Sequence, residues 1–386
     1  MRSFVKPYLL SVLIIVLLGL SFGLAACSDS DDYDPNNGIS DTEATTTTDG
    51  MRTITDALGR VVEIPLEVES IIALGPGAPR IASYLNVIDM LVGAEEVDTE
   101  DINVLRDFNP VHIETFRTLP IVGQGGGSGN NNGFPEEIIM VAPDVIIAAF
   151  DWEAADELQA QTNIPVVSVR HQTGLIHESF YTALRVFAEV VGAEERSEYL
   201  LAYLAAAMAD LNERTAHISD DDKLRVYAGA ITWNGRRGFA GTYSDFGPLS
   251  TINALNVADS TDIDGFFEAD FEKILVWDPD VIFLDPGNMD LVNGEYASNP
   301  EYFRSLRAKQ EGRVYTMPAF NFSGTNITYA LINAYFAGTV LFPEEFADID
   351  IEEKAGEILM TLLGENTFDL MADGGLHYGS IIIGQQ

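Results

Sequence analysis

Past residue 50 the chain alternates short apolar runs with longer stretches of helical periodicity, and this alternation predicts the fold. Two short alternating runs flank Ala57-Leu58-Gly59-Arg60 within Arg52 to Pro65, the signature of a β-hairpin. Ser70-Ile71-Ile72-Ala73-Leu74 is continuously apolar, as a strand covered on both faces must be. It ends in Gly75-Pro76-Gly77-Ala78-Pro79, and a helix starts over Arg80 to Leu85. Further short apolar strands are predicted at Val92 to Ala94, Ile121 to Gly123, Val145 to Ala149 and Val166 to Val169, with helical stretches between them. Strands that alternate with helices assemble a mostly parallel sheet, so the fold class is α/β.

One internal echo organises the rest. Glu136-Glu137-Ile138-Ile139-Met140-Val141-Ala142-Pro143-Asp144-Val145-Ile146 aligns without gaps on Glu272-Lys273-Ile274-Leu275-Val276-Trp277-Asp278-Pro279-Asp280-Val281-Ile282. Each reads as a short helix, a Pro-Asp stop and a buried strand, with Pro135 and Asp270 in first-turn and capping positions. The repeat predicts two lobes of similar construction. Between them Ile176 to Thr215 reads as helix, broken at Gly192, and Leu200, Tyr203, Leu204, Ala207 and Leu211 recur at helical spacing. A long helical connector of this kind permits only small rocking of the lobes.

The N-terminus departs from this pattern. Arg2 and Lys6 precede the apolar run Leu9 to Leu18, and Leu20 to Ala26 leads to Cys27, the only cysteine. Basic, apolar, then small residues make a secretory signal peptide, too short for a spanning helix. Its Leu-Ala-Ala-Cys ending resembles a bacterial lipoprotein signal, which implies lipidation of Cys27, a lipid anchor to the membrane and an extracytoplasmic location. A lone thiol has no partner for an internal disulfide. Residues 28–50 are rich in Asp, Asn, Ser and Thr, lack any basic residue and read as an acidic tether. The expected organisation is a signal at 1–27, tether at 28–50, N-terminal lobe at 51–175, helical segment at 176–217 and C-terminal lobe at 218–386.

Composition narrows the partners. Apolar residues make up 47% of the chain, enough for a sizeable core. Sixty acids against 21 bases give a net charge of −39, spread along the chain. Such a surface repels nucleic acid and anionic lipid, which removes both as binding partners; solubility or a saline habitat accounts for the acidity.

Thr53 to Pro65 followed by Ile71-Ile72-Ala73-Leu74 resembles the ferric-siderophore, haem and cobalamin binding proteins of ABC importers. The two echoed units, and Asn326 to Phe346 with its Tyr335-Phe336-Ala337-Gly338-Thr339-Val340-Leu341-Phe342-Pro343 ending, are similar to the same family. The likeness covers nearly all of residues 51–360. It implies two Rossmann-like lobes joined by one long linking helix, a ligand cleft between the lobes, a monomer, no resident cofactor and no catalysis. It further implies an ABC permease dimer as partner and a small metal chelate as cargo, with a ferric siderophore ahead of haem or a corrinoid. By the same resemblance Glu136 and Glu272 correspond to the glutamates that dock on permease arginines, one on each lobe. A first-turn Glu also complements its helix dipole, worth ~0.3–1 kcal/mol.

Open α/β sheets bind ligands where their strands end. In the first lobe those loops are Gly75 to Pro79, Gly123 to Gly133 and Asp151-Trp152-Glu153. The glycine-rich stretch lacks the Gly-Lys-Ser/Thr of a phosphate loop and suits either close backbone approach to a bulky ligand or a plain loop. Trp152 suits stacking on a planar chelate, or equally a lobe-edge position. In the second lobe Ala230 to Tyr243 is the richest segment. Adjacent Arg236 and Arg237 in a base-poor chain offer guanidinium forks to ligand carboxylates, phenolates or propionates, or balance neighbouring acids. Trp233 and Tyr243 flank them, and Phe266, Asn321 and Phe322, with Phe267, sit at matching loop ends as an aromatic lip or as core.

Among His112, His171, His177, His217 and His377 no zinc spacing appears, so a bare-metal cluster is not predicted; His112 and His171 remain candidates for an axial ligand to haem iron. No nucleophile elbow is present. A chelatase-like metal-inserting enzyme is the rival from another class, and it would require an acid/base or metal-ligand cluster in the cleft.

Overall fold

A computed structural model describes residues 50–126, 133–172 and 178–385. The leader with Cys27, the tether apart from Gly50, the middle of the glycine-rich loop and His177 lie outside the described residues. The hairpin forms as expected: β1 (Met51–Thr55) pairs antiparallel with β2 (Val61–Pro65) around a turn at Gly59. Its alternate residues Ile54, Val62 and Ile64 are buried, so one face serves the core.

The first lobe then builds a parallel sheet from β3 (Ile71–Leu74), β4 (Ala94–Glu95), β5 (Ile121–Gly123), β6 (Val145–Ala148) and β7 (Val166–Ser168). β6 lies between β7 and β3, and a bridge from Ile71 to Leu91 leads on to the β4–β5 pair. All four residues of β3 and of β6 are buried, the two-sided burial that their unbroken apolar runs dictate. The second lobe repeats the plan with β8 (Arg225–Gly229), β9 (Gly241–Tyr243), β10 (Leu255–Asn256), β11 (Phe266–Glu268), β12 (Val281–Leu284) and β13 (Val314–Thr316). Strands β10-β8-β12-β13 form its parallel sheet, and β9 and β11 form a separate antiparallel ribbon.

The sequence echo is a structural one. Helices Pro135–Val141 and Phe271–Trp277 precede β6 and β12, the strands that pair with the first strand of each lobe. Both helices end on a left-handed residue, Ala142 (φ 46°) and Asp278 (φ 42°), and the following proline prevents continuation. The carboxylates after those prolines hold the next layer: Asp144 accepts from the amides of Glu69 and Ser70, and Asp280 from the amide of Arg225. Asp270 occupies the capping position without a side-chain cap bond, so its expected role is taken by backbone geometry alone.

Helices Glu178–Val191 and Glu194–Thr215, hinged at Gly192, connect the sheets, and Leu200, Leu204, Ala207 and Leu211 face the core as their spacing requires. Helix Ile327–Leu341 is buried on nearly all sides and packs on helix Ile351–Leu363, which in turn reaches first-lobe helix Ala78–Tyr84. One apolar cluster therefore contains Ile71 and Ala73 of the first sheet together with Val226, Ala228 and Phe283 of the second.

Candidate functional site

The strand ends of the two sheets carry the loops in question. β3 runs into Gly75 and Gly77, both at positive φ (81° and 95°), a conformation that glycine adopts without strain. A side chain at Gly77 would meet the His171 ring at 3.2 Å, so this turn and the loop after β7 are fitted to each other. His171 holds its Nδ1 3.1 Å from the Val169 carbonyl and packs edge-on against Phe180; burial pushes its pKa down. His112 lies elsewhere, its Nε2 spent on Ser83 Oγ at 2.8 Å.

In the second lobe Trp233, Arg237, Tyr243 and Phe266 come together. The β9–β11 ribbon sets Phe266 opposite Tyr243. Trp233 lies nearly parallel to Phe266 (15° between planes, centroids 6.4 Å apart) and edge-on to Tyr243 at 5.2 Å. The Arg237 guanidinium covers the Phe266 ring at 5.1 Å, its Nε donating to the Trp233 carbonyl. Tyr243 continues through Phe246 to Phe320 in the loop after β13, so the set spans the ends of two strands. Arg236 parts from its neighbour. It donates to the Gly287 carbonyl and Asn288 Oδ1 and pairs with Asp290, bracing the loop after β12.

Asn321 and Phe322 occupy the seam between lobes. Buried Arg80 of the first lobe donates to the Phe322 and Ser323 carbonyls at 3.2 and 2.9 Å and to Asp107 at 2.6 Å. Asp107 also receives the hydroxyls of Tyr84 and of second-lobe Thr328. Arg106 lies over Phe322 at 6.0 Å, bound to Asp98. Among the described residues, Arg106 Nε and Asn321 Oδ1 are buried without a hydrogen-bond partner. Two buried carboxyls stand at strand ends: Glu95, which accepts the Gly75 amide, and Asp285, which receives the Thr232 hydroxyl. Burial raises their pKa values to about 8 and about 6 respectively.

This polar seam escaped the sequence reading. Arg80 inside an otherwise apolar helix was its one visible signal, since the Phe322 and Ser323 carbonyls that it reaches across the seam lie more than 200 residues away.

Trp152 stands apart from the second-lobe aromatics. Asp151 caps its helix, Trp152–Thr162, and its exposed ring lines a groove of about 520 Å³ with Arg60, Val61 and Asp156 beside the hairpin. A groove of about 590 Å³ between the linking helix and helix Ile351–Leu363 is lined by groups that satisfy one another, Arg214 with Asp210 and Asp348, and Lys354 with Glu357. Glu136 and Glu272 are exposed in the first turns of their helices. Among the described residues no group of three or more His, Cys, Asp or Glu is placed to hold a metal ion, and no helix is long and apolar enough to cross a membrane.

A sequence profile described as periplasmic binding protein matches residues 68–319. The molybdate-binding protein MolA of Haemophilus influenzae is 23% identical over 327 residues, 79% of this chain and 89% of that protein. A periplasmic solute binding protein from Veillonella parvula superposes with a TM-score of 0.64 at 19% identity, covering 84% of this chain and 97% of that one. The heme binding protein HmuT does so at 0.51 with 17% identity, covering 80% and 96%. At these identities the superpositions speak for the fold.

Proposed function

The chain belongs to the periplasmic binding protein family, and from that premise we propose that it captures a ferric chelate in the cleft between its lobes for delivery to an ABC permease. Family members are extracytoplasmic solute-binding proteins rather than enzymes, which removes the chelatase reading. The observation that carries the ligand class is the assembly of Trp233, Phe266 and Tyr243, with one guanidinium, that of Arg237, over the Phe266 ring. Flat aromatic faces supply area to an apolar or aromatic chelate, and a single fork supplies a charge-assisted contact to its carboxylate or phenolate. A compact oxyanion would instead need several convergent N–H donors.

In this reading Asn321 and Phe322 close the cleft from the seam, Arg236 holds the loop beside it, and Trp152 serves an outer edge. Haem or a corrinoid is the alternative cargo on the same surface. Glu136 and Glu272 dock on the permease pair. Lipidation at Cys27 and the tether at 28–50 hold a monomer at the membrane, with lobes at 51–175 and 218–386 and the connector at 176–217.

Tryptophan quenching of the purified protein by ferric siderophores, haemin, cobalamin and molybdate tests the assignment. Saturable quenching by a ferric siderophore, weakened about tenfold or more in Arg237→Ala and Trp233→Ala, is the expected result. Binding of haemin or cobalamin alone would move the cargo within the chelates. Binding of molybdate alone would overturn the chelate class.

A further inference from the structure

One wall of the groove beside the hairpin, about 520 Å³ in volume, is the continuous run Gly59 to Glu63. Successive side chains of a strand point to opposite faces, so a groove on one face would meet alternate residues only. This groove meets Val61, Val62 and Glu63 in turn and therefore runs along the edge of β2. Across it stand Trp152, Asp156 and Gln159, at i, i+4 and i+7 on one face of their helix. The edge itself is open. The hairpin is a two-stranded sheet in which the Asp56 amide donates to the Arg60 carbonyl and the Leu66 amide to the Gly50 carbonyl. Hydrogen-bonded pairs alternate along an antiparallel ladder, so Val62 and Ile64 turn their amides and carbonyls to β1. Val61 and Glu63 turn theirs outward, where among the described residues they have no hydrogen-bond partner. Val61 is 74% exposed and Trp152 53%. Arg60 is spent on Asp56, Asp156 and the Val166 carbonyl, whereas the exposed Glu63 carboxylate is unpaired among the described residues.

We propose that this edge receives an extended peptide segment of a partner protein, which adds antiparallel to β2 as a third strand and carries a basic and a β-branched residue two positions apart. The basic residue stands opposite Glu63 and the β-branched one opposite Val61, as cross-strand neighbours on one face. Each exchanges both main-chain hydrogen bonds with the residue it faces, which supplies the affinity, while the two side chains supply the choice of sequence. The Trp152 ring across the groove adds apolar area. A saccharide would use that ring and the Gln159 carboxamide but leave the outward amides and carbonyls of β2 unbonded. Residues 28–50 carry acids and no base, and a second copy brings another net charge of −39, so both meet Glu63 with like charge. Capture of cargo in the cleft does not depend on this edge.

The test titrates the full chain with the peptide acetyl-Thr-Lys-Thr-Val-Thr-amide and follows tryptophan emission. A saturable blue shift, absent in Trp152→Phe, is expected. Glutamate in place of the peptide's lysine should weaken binding severalfold. N-methyl groups on its lysine and valine amides, which face β2, should abolish binding, whereas one on the central threonine, which faces away, should be tolerated. Glu63→Lys, at an exposed position, should reverse the preference between the lysine and glutamate peptides with an unchanged melting temperature. Val61→Pro removes an outward amide and no bond to β1, and should lose binding. A Glu63→Lys variant that still prefers the lysine peptide, or binding indifferent to where the methyl groups sit, overturns the strand pairing. So does the absence of any shift at millimolar peptide. A shift with a chito-oligosaccharide but with no peptide would make this a saccharide groove. Self-association in sedimentation that Val61→Pro abolishes would give the edge to a second copy. Peptide binding that appears only once residues 28–50 are removed would give it to the chain's own tether, and each of these three results overturns the assignment.

Discussion

Glu95 sits at the end of β4 with only 4% of its surface exposed, one oxygen accepting the Gly75 amide at 2.8 Å. Burial is the main reason its pKa rises from 4.5 to about 8; Asp98 adds to the rise, while the Gly75 amide and Arg106 oppose it. The folded protein thus holds this proton more tightly than the unfolded chain does. Its contribution to stability is full below pH 4.5, declines above that, and is lost as the pH passes through about 8. At ~1.4 kcal/mol for each tenfold gain in proton affinity, the total is on the order of a few kcal/mol. Thermal melts between pH 5 and pH 9 should therefore fall with rising pH up to about 8, and Glu95→Gln, which keeps the shape and removes the proton, should flatten the fall between about pH 6 and about pH 8. Parallel curves for the two proteins would acquit Glu95. Asp285, raised only to about 6, loses its contribution at lower pH and leaves the upper window to Glu95.

Among the elements, helix Ile327–Leu341 shows most clearly how packing overrides propensity. A Cβ at Gly338 would stand 2.4 Å from the Phe346 ring, which closes over the helix at that point. In an exposed helix Gly→Ala stabilises by about 1 kcal/mol. Here overpacking of about 1–3 kcal/mol opposes that gain, so Gly338→Ala should lower the urea midpoint. Phe346→Leu in the same chain should recover part of the loss, and an increase in midpoint for Gly338→Ala alone would sink the account. Elements of this kind were legible to different depths. The hairpin, the strands β3 and β6, the break at Gly192 and the doubled Pro-Asp unit were readable because each depends on local periodicity or on one turn residue. The aromatic set was readable only in part. Trp233 and Tyr243 are close in the chain, but Phe266 reaches them through the pairing of two three-residue strands. Sequence cannot tell Arg236 from Arg237, yet one braces Gly287 and Asn288 while the other covers Phe266. The Arg80–Asp107–Thr328 seam was hidden because Asp107 and Thr328 are 221 residues apart.

In the molecule as a whole, two forces act on the lobes in opposite senses. A net charge of −39 pushes like-charged lobes apart, most strongly in dilute salt. Against it stand the shared apolar cluster and the buried seam, where Arg80 holds the Phe322 and Ser323 carbonyls and Asp107 takes hydroxyls from Tyr84 and Thr328. Surface repulsion reaches about 30 Å at 0.01 M salt and about 3 Å at 1 M, whereas buried bonds are scarcely screened. The buried contacts should prevail. Small-angle scattering is then expected to give the same radius of gyration for residues 51–386 at both salt concentrations. Asp107→Asn leaves Arg80 buried without its carboxylate, a loss of about 3–5 kcal/mol, and weakens the seam in particular. That variant should expand in dilute salt and contract again in concentrated salt. Expansion of the unaltered chain would show that the lobes are not fixed by these contacts. A variant that keeps its size at both salt concentrations would leave the apolar cluster as the sole restraint.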